Sequence, residues 1–476
     1  MNALQEKLQT LLIFWFVAAW LMAIGILLWQ LGDLNFILRW VVVLGILMLL
    51  IKLIVDVDYH YLLSPFFIIG IIALMFYSVV PSLYGQLFPE PISFFGMKAP
   101  ARRIHDHTIS YIGSQAEALI LQFSTFCFLV FAIYLKWKAS IRSAKPRWAE
   151  ATDSSNHLLA ILHFTVYTTA FMYLISKWTI FGQVLFSSGL GTEFRHALAP
   201  LMSFSTAALA YYSAKNTTNL KYFGPVTLLA ALGAMIVSGL AATAVFIFLV
   251  AISLYLIIIK PSPRMALFIV GGITLILPLA ILVTIISRGE AEKAPTKSAL
   301  IEYAAAKLTS KLVHRQTTSG HCLGGIYKTH RSAEGANPFF FTSSIVPRVL
   351  WPEKPILSRG SEYAEKYCGQ PGAIGRKHSE SITLLGEPLL NGGILGIIVA
   401  QLCVSVFFFV ATNSLGSRQP AQIIFVVALL PWLATFEQHF AEYFGNLVKV
   451  IIIMLPLFTA LIYLLWRGQK APAQMS

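Results

Sequence analysis

The 476-residue chain carries 35 Lys and Arg against 21 Asp and Glu, a formal charge of +14, and is 57% hydrophobic but only 12% charged. Average soluble proteins hold about 25% charged residues. With a mean hydropathy of +0.72, this composition excludes an ordinary soluble domain and describes a polytopic membrane protein. The basic balance suits anionic headgroups or a phosphate-bearing substrate. Nucleic acid is not indicated, because no basic helix or aromatic-basic module occurs.

Taken in order, the first apolar run follows Lys7 and continues through Leu31. It is long enough to span, and it reads as a first helix rather than a cleaved leader. Runs of about 20 apolar residues then predict twelve spans. They cover 11–31, 36–55, 61–84, 117–135, 157–176, 198–213, 222–240, 242–259, 265–287, 382–412, 421–436 and 445–466. The sixth is short. The seventh and eighth are parted at Ser238-Gly239-Leu240, or form one tilted helix with a break. The expected fold is therefore all-α, a membrane helix bundle of about twelve transmembrane helices. Its parts are helices one to nine (1–287), a large loop between helices nine and ten (288–381), and helices ten to twelve with a tail (382–476).

Lys and Arg in short loops orient the bundle. The loop 136–156 holds Lys136, Lys138, Arg142, Lys145 and Arg147, and alternation puts Lys215, Lys221, Lys260, Arg264 and Arg418 on the same side. Both termini are expected to be cytoplasmic, and 288–381 extracytoplasmic. That loop has 14 Lys and Arg against eight Asp and Glu; long loops cross whatever their charge. Within it, Leu300, Ile301, Ala304, Ala305, Leu308 and Leu312 fall on one helical stripe. This reads as an amphipathic helix on the membrane surface or capping the bundle, or as a helix packed inside a loop domain. Cys322 and Cys368 also lie in this loop. In an oxidising space they can pair; otherwise they are two free thiols. Cys127 and Cys403 fall in spans and read as small apolar residues.

No phosphate-binding Gly-rich loop with its Lys and no CxxC pair occurs. His439 and Glu442, three apart, sit near Glu437, but a solvated polar loop explains them more simply than a metal. His157 and His163, six apart in span five, read as core histidines.

Chemistry is concentrated between Phe339 and Gly396. Pro347, Pro352 and Pro355 stiffen a non-helical strap that carries Arg348, Trp351 and Lys354. An Arg fork held that way is a natural partner for phosphate oxygens, and Trp351 can offer its face to a sugar ring or lie at the interface. Next come Arg376, Lys377, His378, Ser379, Glu380 and Ser381 at a helix entry, where a Ser can cap and the helix end adds positive charge. Inside the helix, Gly386-Glu387-Pro388 precedes Asn391-Gly392-Gly393 and Gly396. Glu387 within a span is costly and should face protein or water beside a cation. The Gly and Pro residues predict a broken or closely packed helix.

These stretches carry a family resemblance. Val346-Pro347-Arg348-Val349-Leu350-Trp351-Pro352-Glu353-Lys354-Pro355 resembles the PR-x-LWP-x-KP strap of bacterial oligosaccharide repeat-unit polymerases, the O-antigen polymerases and their exopolysaccharide relatives. Residues Ser379 to Gly396 resemble the S-x-T-x-x-GE-x-x-x-x-GG-x-x-G segment of that group, and Phe436 to Leu457 fits its closing loop and helix. Many members carry an Arg between spans seven and eight, whereas Gly239 to Ala242 has none.

The resemblance implies a fold like the integral-membrane (GT-C-like) glycosyltransferases and a metal- and cofactor-independent transfer. A glycan on undecaprenyl diphosphate would be moved to another lipid-linked repeat unit at the outer face of a bacterial inner membrane. Candidate acid–base residues are His378, Glu380 and Glu387. Candidate groups for the diphosphate or glycan are Arg348, Arg376, Arg359, Arg315, Arg195, Lys354 and Trp351. A chain-length regulator and a flippase of the same pathway are the implied protein partners. An O-antigen ligase-like transferase and a flippase or transporter of such lipids are the alternatives. Transporters build on related halves and charges within many spans, and neither pattern is visible here.

Overall fold

The computed structural model describes residues 93–94, 97–98, 156–178, 184, 189–215, 227, 229–233, 247, 251, 254, 322, 325–326, 337, 339–346, 351, 353, 359–375, 379–415, 419–433, 435 and 438–470. Apart from a two-residue antiparallel ladder, β1 (Ser93–Phe94) with β2 (Met97–Lys98), the regular elements are helical. They are α1 (Asn156–Trp178), α2 (Gly189–Lys215), a 3-10 turn (Phe340–Ser344), the short α3 (Gly360–Tyr367), α4 (Thr383–Leu415), α5 (Pro420–Leu433) and α6 (Phe440–Lys470).

Helices α1, α2, α4, α5 and α6 lie over the spans predicted at 157–176, 198–213, 382–412, 421–436 and 445–466. The other seven spans and the stripe 297–316 lie outside the described residues, save isolated positions in 222–259. Leu158–Ser176 and Phe440–Leu464 are each long and apolar enough to cross a membrane. Only 33% and 22% of their apolar windows are buried, which is not the pattern of a helix enclosed in a soluble core. Their exposed faces are apolar, with Ile161, Phe164 and Phe171 on α1 and Ile452, Leu455 and Ile462 on α6. Large apolar side chains facing outward along a whole helix suit lipid.

Small side chains put α2 in the middle. Every residue from Met202 to Ser213 is buried, and the stretch includes Ser203, Ser205, Thr206, Ala207, Ala208 and Ala210. Such residues let helix backbones approach closely in an apolar setting. Accordingly α2 packs on α1, α5 and α6, while α4 packs on α5 and α6. Ser203 Oγ donates to the Ala428 carbonyl on α5 at 2.7 Å. On α1, His163 Nδ1 lies 2.8 Å from Thr227 Oγ1, which also donates to the Tyr167 hydroxyl; this is a polar contact within the bundle.

Two helices begin earlier than hydropathy predicts. Helix α2 starts at Gly189, because Thr192, Glu193, Arg195 and His196 lower the local hydropathy without preventing helical hydrogen bonding. Helix α6 starts at Phe440 and takes Glu442 into its first turn, where the helix dipole favours an acid. In α4, Gly393 has φ 58° and ψ −147°, a backbone state open essentially to Gly alone. Here α4 is two helical segments, the first of which, Thr383 to Gly392, carries Glu387.

Candidate functional site

A second apolar cluster stands apart from the bundle core. It joins Cys322, Ile326, Tyr363, Cys368, Ile382, Leu385, Leu389 and Ile397. Cys322 and Cys368 form a disulfide across 46 residues of sequence. Closing a loop of that length is worth about 4 kcal/mol in the chain-entropy model. The staple ties the C-terminal end of α3 to Cys322, and Ile326, four residues on, packs in the same cluster as Ile382, Leu385 and Leu389 at the start of α4.

Helix α3 explains its own docking. Tyr363 and Tyr367, one turn apart, share a face, and Tyr363 and Ala364 are buried. Glu362 and Lys366 face out and form a 2.7 Å ion pair, which adds little at an exposed site. Past the helix, the Gln370 amide donates to the Ala364 carbonyl and Glu365 Oε2 accepts from the Ile374 amide. At its other end the Glu380 amide donates to the Gly360 carbonyl at 3.2 Å. That bond ties Glu380 to the helix start that carries Arg359.

The centre of the arrangement is Glu387, which is 4% exposed. Its Oε2 accepts from the Ala441 amide in the first turn of α6 at 2.8 Å, and its Oε1 lies a long 3.5 Å from the Tyr363 hydroxyl. Among the described residues these two neutral donors are its partners. The expected adjacent cation is replaced by the positive end of a helix. The Arg359 charge acts on both Glu387 and Tyr363 from further away. Burial, with the Glu387 charge beside it, raises the Tyr363 phenol well above its ordinary range, so the hydroxyl stays a donor. Asn391 Nδ2 donates to the Glu387 carbonyl at 2.8 Å, just ahead of the break at Gly393.

His439 immediately precedes α6. Its ring meets Tyr363 edge to face at 5.0 Å, it is 4% exposed, and its Nδ1 has no hydrogen-bond partner among the described residues. Burial lowers its pKa to about 4, so the imidazole is neutral. This corrects the solvated-loop reading of Glu437, His439 and Glu442: His439 is buried, Glu442 is half-buried in the first turn of α6, and Glu437 lies outside the described residues. Among the described residues, no three His, Cys, Asp or Glu side chains come together as a metal site.

Beside His439, Phe440 and Phe444 pack on Phe341 of the 3-10 turn, with both ring pairs 4.9 Å apart. Four residues after Ser344 the chain reaches Arg348. Of the sequence candidates, then, Arg359, Glu380 and Glu387 are brought together around α3. Trp351 is exposed and makes no hydrogen bond or ring contact among the described residues. Arg195 belongs to α2, with its side chain outside the described set. Arg348, Lys354, Arg315, Arg376 and His378 also lie outside it. Sequence reasoning missed Tyr363, although the four-residue spacing of Tyr363 and Tyr367 was a readable sign of a docked helical face.

No protein-family model, curated protein or solved structure matches the chain.

Proposed function

We propose that this protein is a membrane glycosyltransferase that polymerises undecaprenyl-diphosphate-linked oligosaccharide repeat units at the outer face of a bacterial inner membrane. The observation that carries this reading is the junction of α3, the first segment of α4 and the start of α6. A polar, disulfide-stapled cap sits there against α6, which is long and apolar enough to cross a membrane. In sequence, the PR-x-LWP-x-KP-like strap follows the turn that holds Phe341, and the stretch with His378 directly precedes Glu380; Phe341 and Glu380 both contact this junction.

Such a site meets the needs of the reaction. An acceptor sugar hydroxyl attacks the anomeric carbon of the donor glycan, its proton passing to a base. The bond from that carbon to the diphosphate oxygen breaks, and the electron pair leaves with the lipid diphosphate. His378 and Glu380 are the groups for the proton. Arg359 beside Gly360, with Arg348 and Arg376, supplies preplaced positive charge for the leaving diphosphate. The disulfide suits an oxidising compartment.

The test is reconstitution of the purified chain in liposomes with a lipid-diphosphate-linked repeat unit. Products of two or more repeats on a glycan gel, with release of lipid diphosphate, support the reading. Transfer only to lipid A would favour a ligase, and movement of intact donor across the bilayer without transfer would favour a flippase.

A further inference from the structure

We propose that Glu387 is a positioning residue rather than the base of the transfer, the common anchor from which two arms, α3 and the 3-10 turn Phe340–Ser344, are held. This deepens the proposed function and rests on it for the identity of the reaction, though not for the geometry.

A base must present a free oxygen lone pair to a sugar hydroxyl within hydrogen-bond reach. Glu387 is almost fully buried, one oxygen is occupied by the Ala441 amide, and the other faces the Tyr363 hydroxyl. A glycan has no way to it past α3, α4 and α6. What the carboxylate does instead is connect. Through Ala441 it fixes the first turn of α6, where Phe440 holds Phe341 and so the 3-10 turn Phe340–Ser344, which Arg348 follows by four residues in sequence. Through Tyr363 it fixes α3, which carries Arg359 at one end and is stitched to Glu380. The two arms are far apart in sequence, and Glu387 is the residue that touches the elements holding both. Its charge is compensated by a helix N-terminus, so no ligand is needed to keep it in place.

The discriminating variant is Glu387→Gln. A glutamine keeps one oxygen to accept from the Ala441 amide and turns its NH2 group toward the Tyr363 hydroxyl oxygen, to which it can donate, but it cannot take up a proton at neutral pH. A positioning role predicts a transfer rate within about tenfold of the parent for Glu387→Gln, whereas loss of a general base costs about 10²–10⁴-fold. Glu387→Ala removes the anchor and should lower the rate by about a hundredfold or more. The geometry is read without any glycan: nitroxide labels at Ile345→Cys and Lys366→Cys, in a full-length chain with Cys127→Ser and Cys403→Ser, report the distance between the arms in detergent. That distribution should stay narrow with Glu387→Gln and broaden with Glu387→Ala. If Glu387→Ala does not accumulate, Glu387→Asp, which retracts the carboxylate by one methylene, takes its place. A collapse in rate for Glu387→Gln at an unchanged distance would overturn the proposal, as would an unbroadened distance after the anchor is removed. If no variant or parent transfers glycan, the polymerase reading fails while the distance pair still decides the anchor.

Discussion

A methyl group on Gly445 of α6 would lie 3.0 Å from both the Cβ and the carbonyl oxygen of Ser344 in the 3-10 turn. The strap turn and the last described helix thus touch backbone to backbone, and the glycine is there for the approach. Gly445→Ala would ordinarily help a helix by about 1 kcal/mol, but overpacking typically costs about 1–3 kcal/mol. The expected outcome is a net loss of stability, with a lower Tm in detergent. A Tm equal to or above the parent's would show that the turn gives way freely.

Cys322 and Cys368 should resist thiol reagents until a reductant is added. Replacing both by Ser removes up to about 4 kcal/mol of constraint on the unfolded chain and loosens α3. The measurement is alkylation in intact cells followed by a gel shift, with Cys127 and Cys403 already replaced. Labelling of both thiols without reductant would rule out the bridge.

Arg348→Lys should fail although it keeps the charge. An ammonium cannot reproduce the parallel hydrogen bonds that a guanidinium makes to a phosphate, and losing one preplaced donor costs about 2.7–4 kcal/mol, or about a hundred- to a thousandfold in rate. At matched expression the glycan ladder should shrink to single repeats for both Arg348→Lys and Arg348→Ala. A normal ladder from Arg348→Ala would reduce the strap to a structural part.

Burial holds His439 at about 4, below the ordinary imidazole value of 6.5. Below pH 6.5 the unfolded chain takes up a proton that the folded chain refuses, so stability is fully present above 6.5 and declines as pH falls toward 4. The span of the decline is about 3 kcal/mol for this one group. Thermal unfolding in detergent should show a lower Tm at about pH 4.5 than at about 7.5, and His439→Leu should flatten that slope. Equal slopes in the two proteins would place the acid sensitivity elsewhere.

Hydropathy located α1, α4 and α5 closely, because an apolar helix must advertise itself over about 20 residues. It truncated α2 and α6, whose N-terminal portions are polar: Glu193 and Arg195 in one, Glu442 in the other. The broken α4 was legible from Gly392-Gly393 and Pro388, and the cost of burying Glu387 marked it as unusual. Its partner was not legible. The Ala441 amide is a backbone group with no side-chain signature, and sequence reasoning looks for a cation where a helix end serves. Tyr363 and His439 were hidden for a related reason. Each looks like an ordinary loop residue until tertiary contacts bury it.

The distance along the chain between Glu387 and the Ala441 amide, 54 residues, also sets an order of events. A ribosome makes the carboxylate well before it makes the amide that compensates it. Until α6 is threaded into place, Glu387 is an acid without its helix-end partner in an apolar helix, a state that resists settling. Whatever order the chain is inserted in, α3 and the 3-10 turn therefore gain their common footing on Glu387 only once α6 has been made.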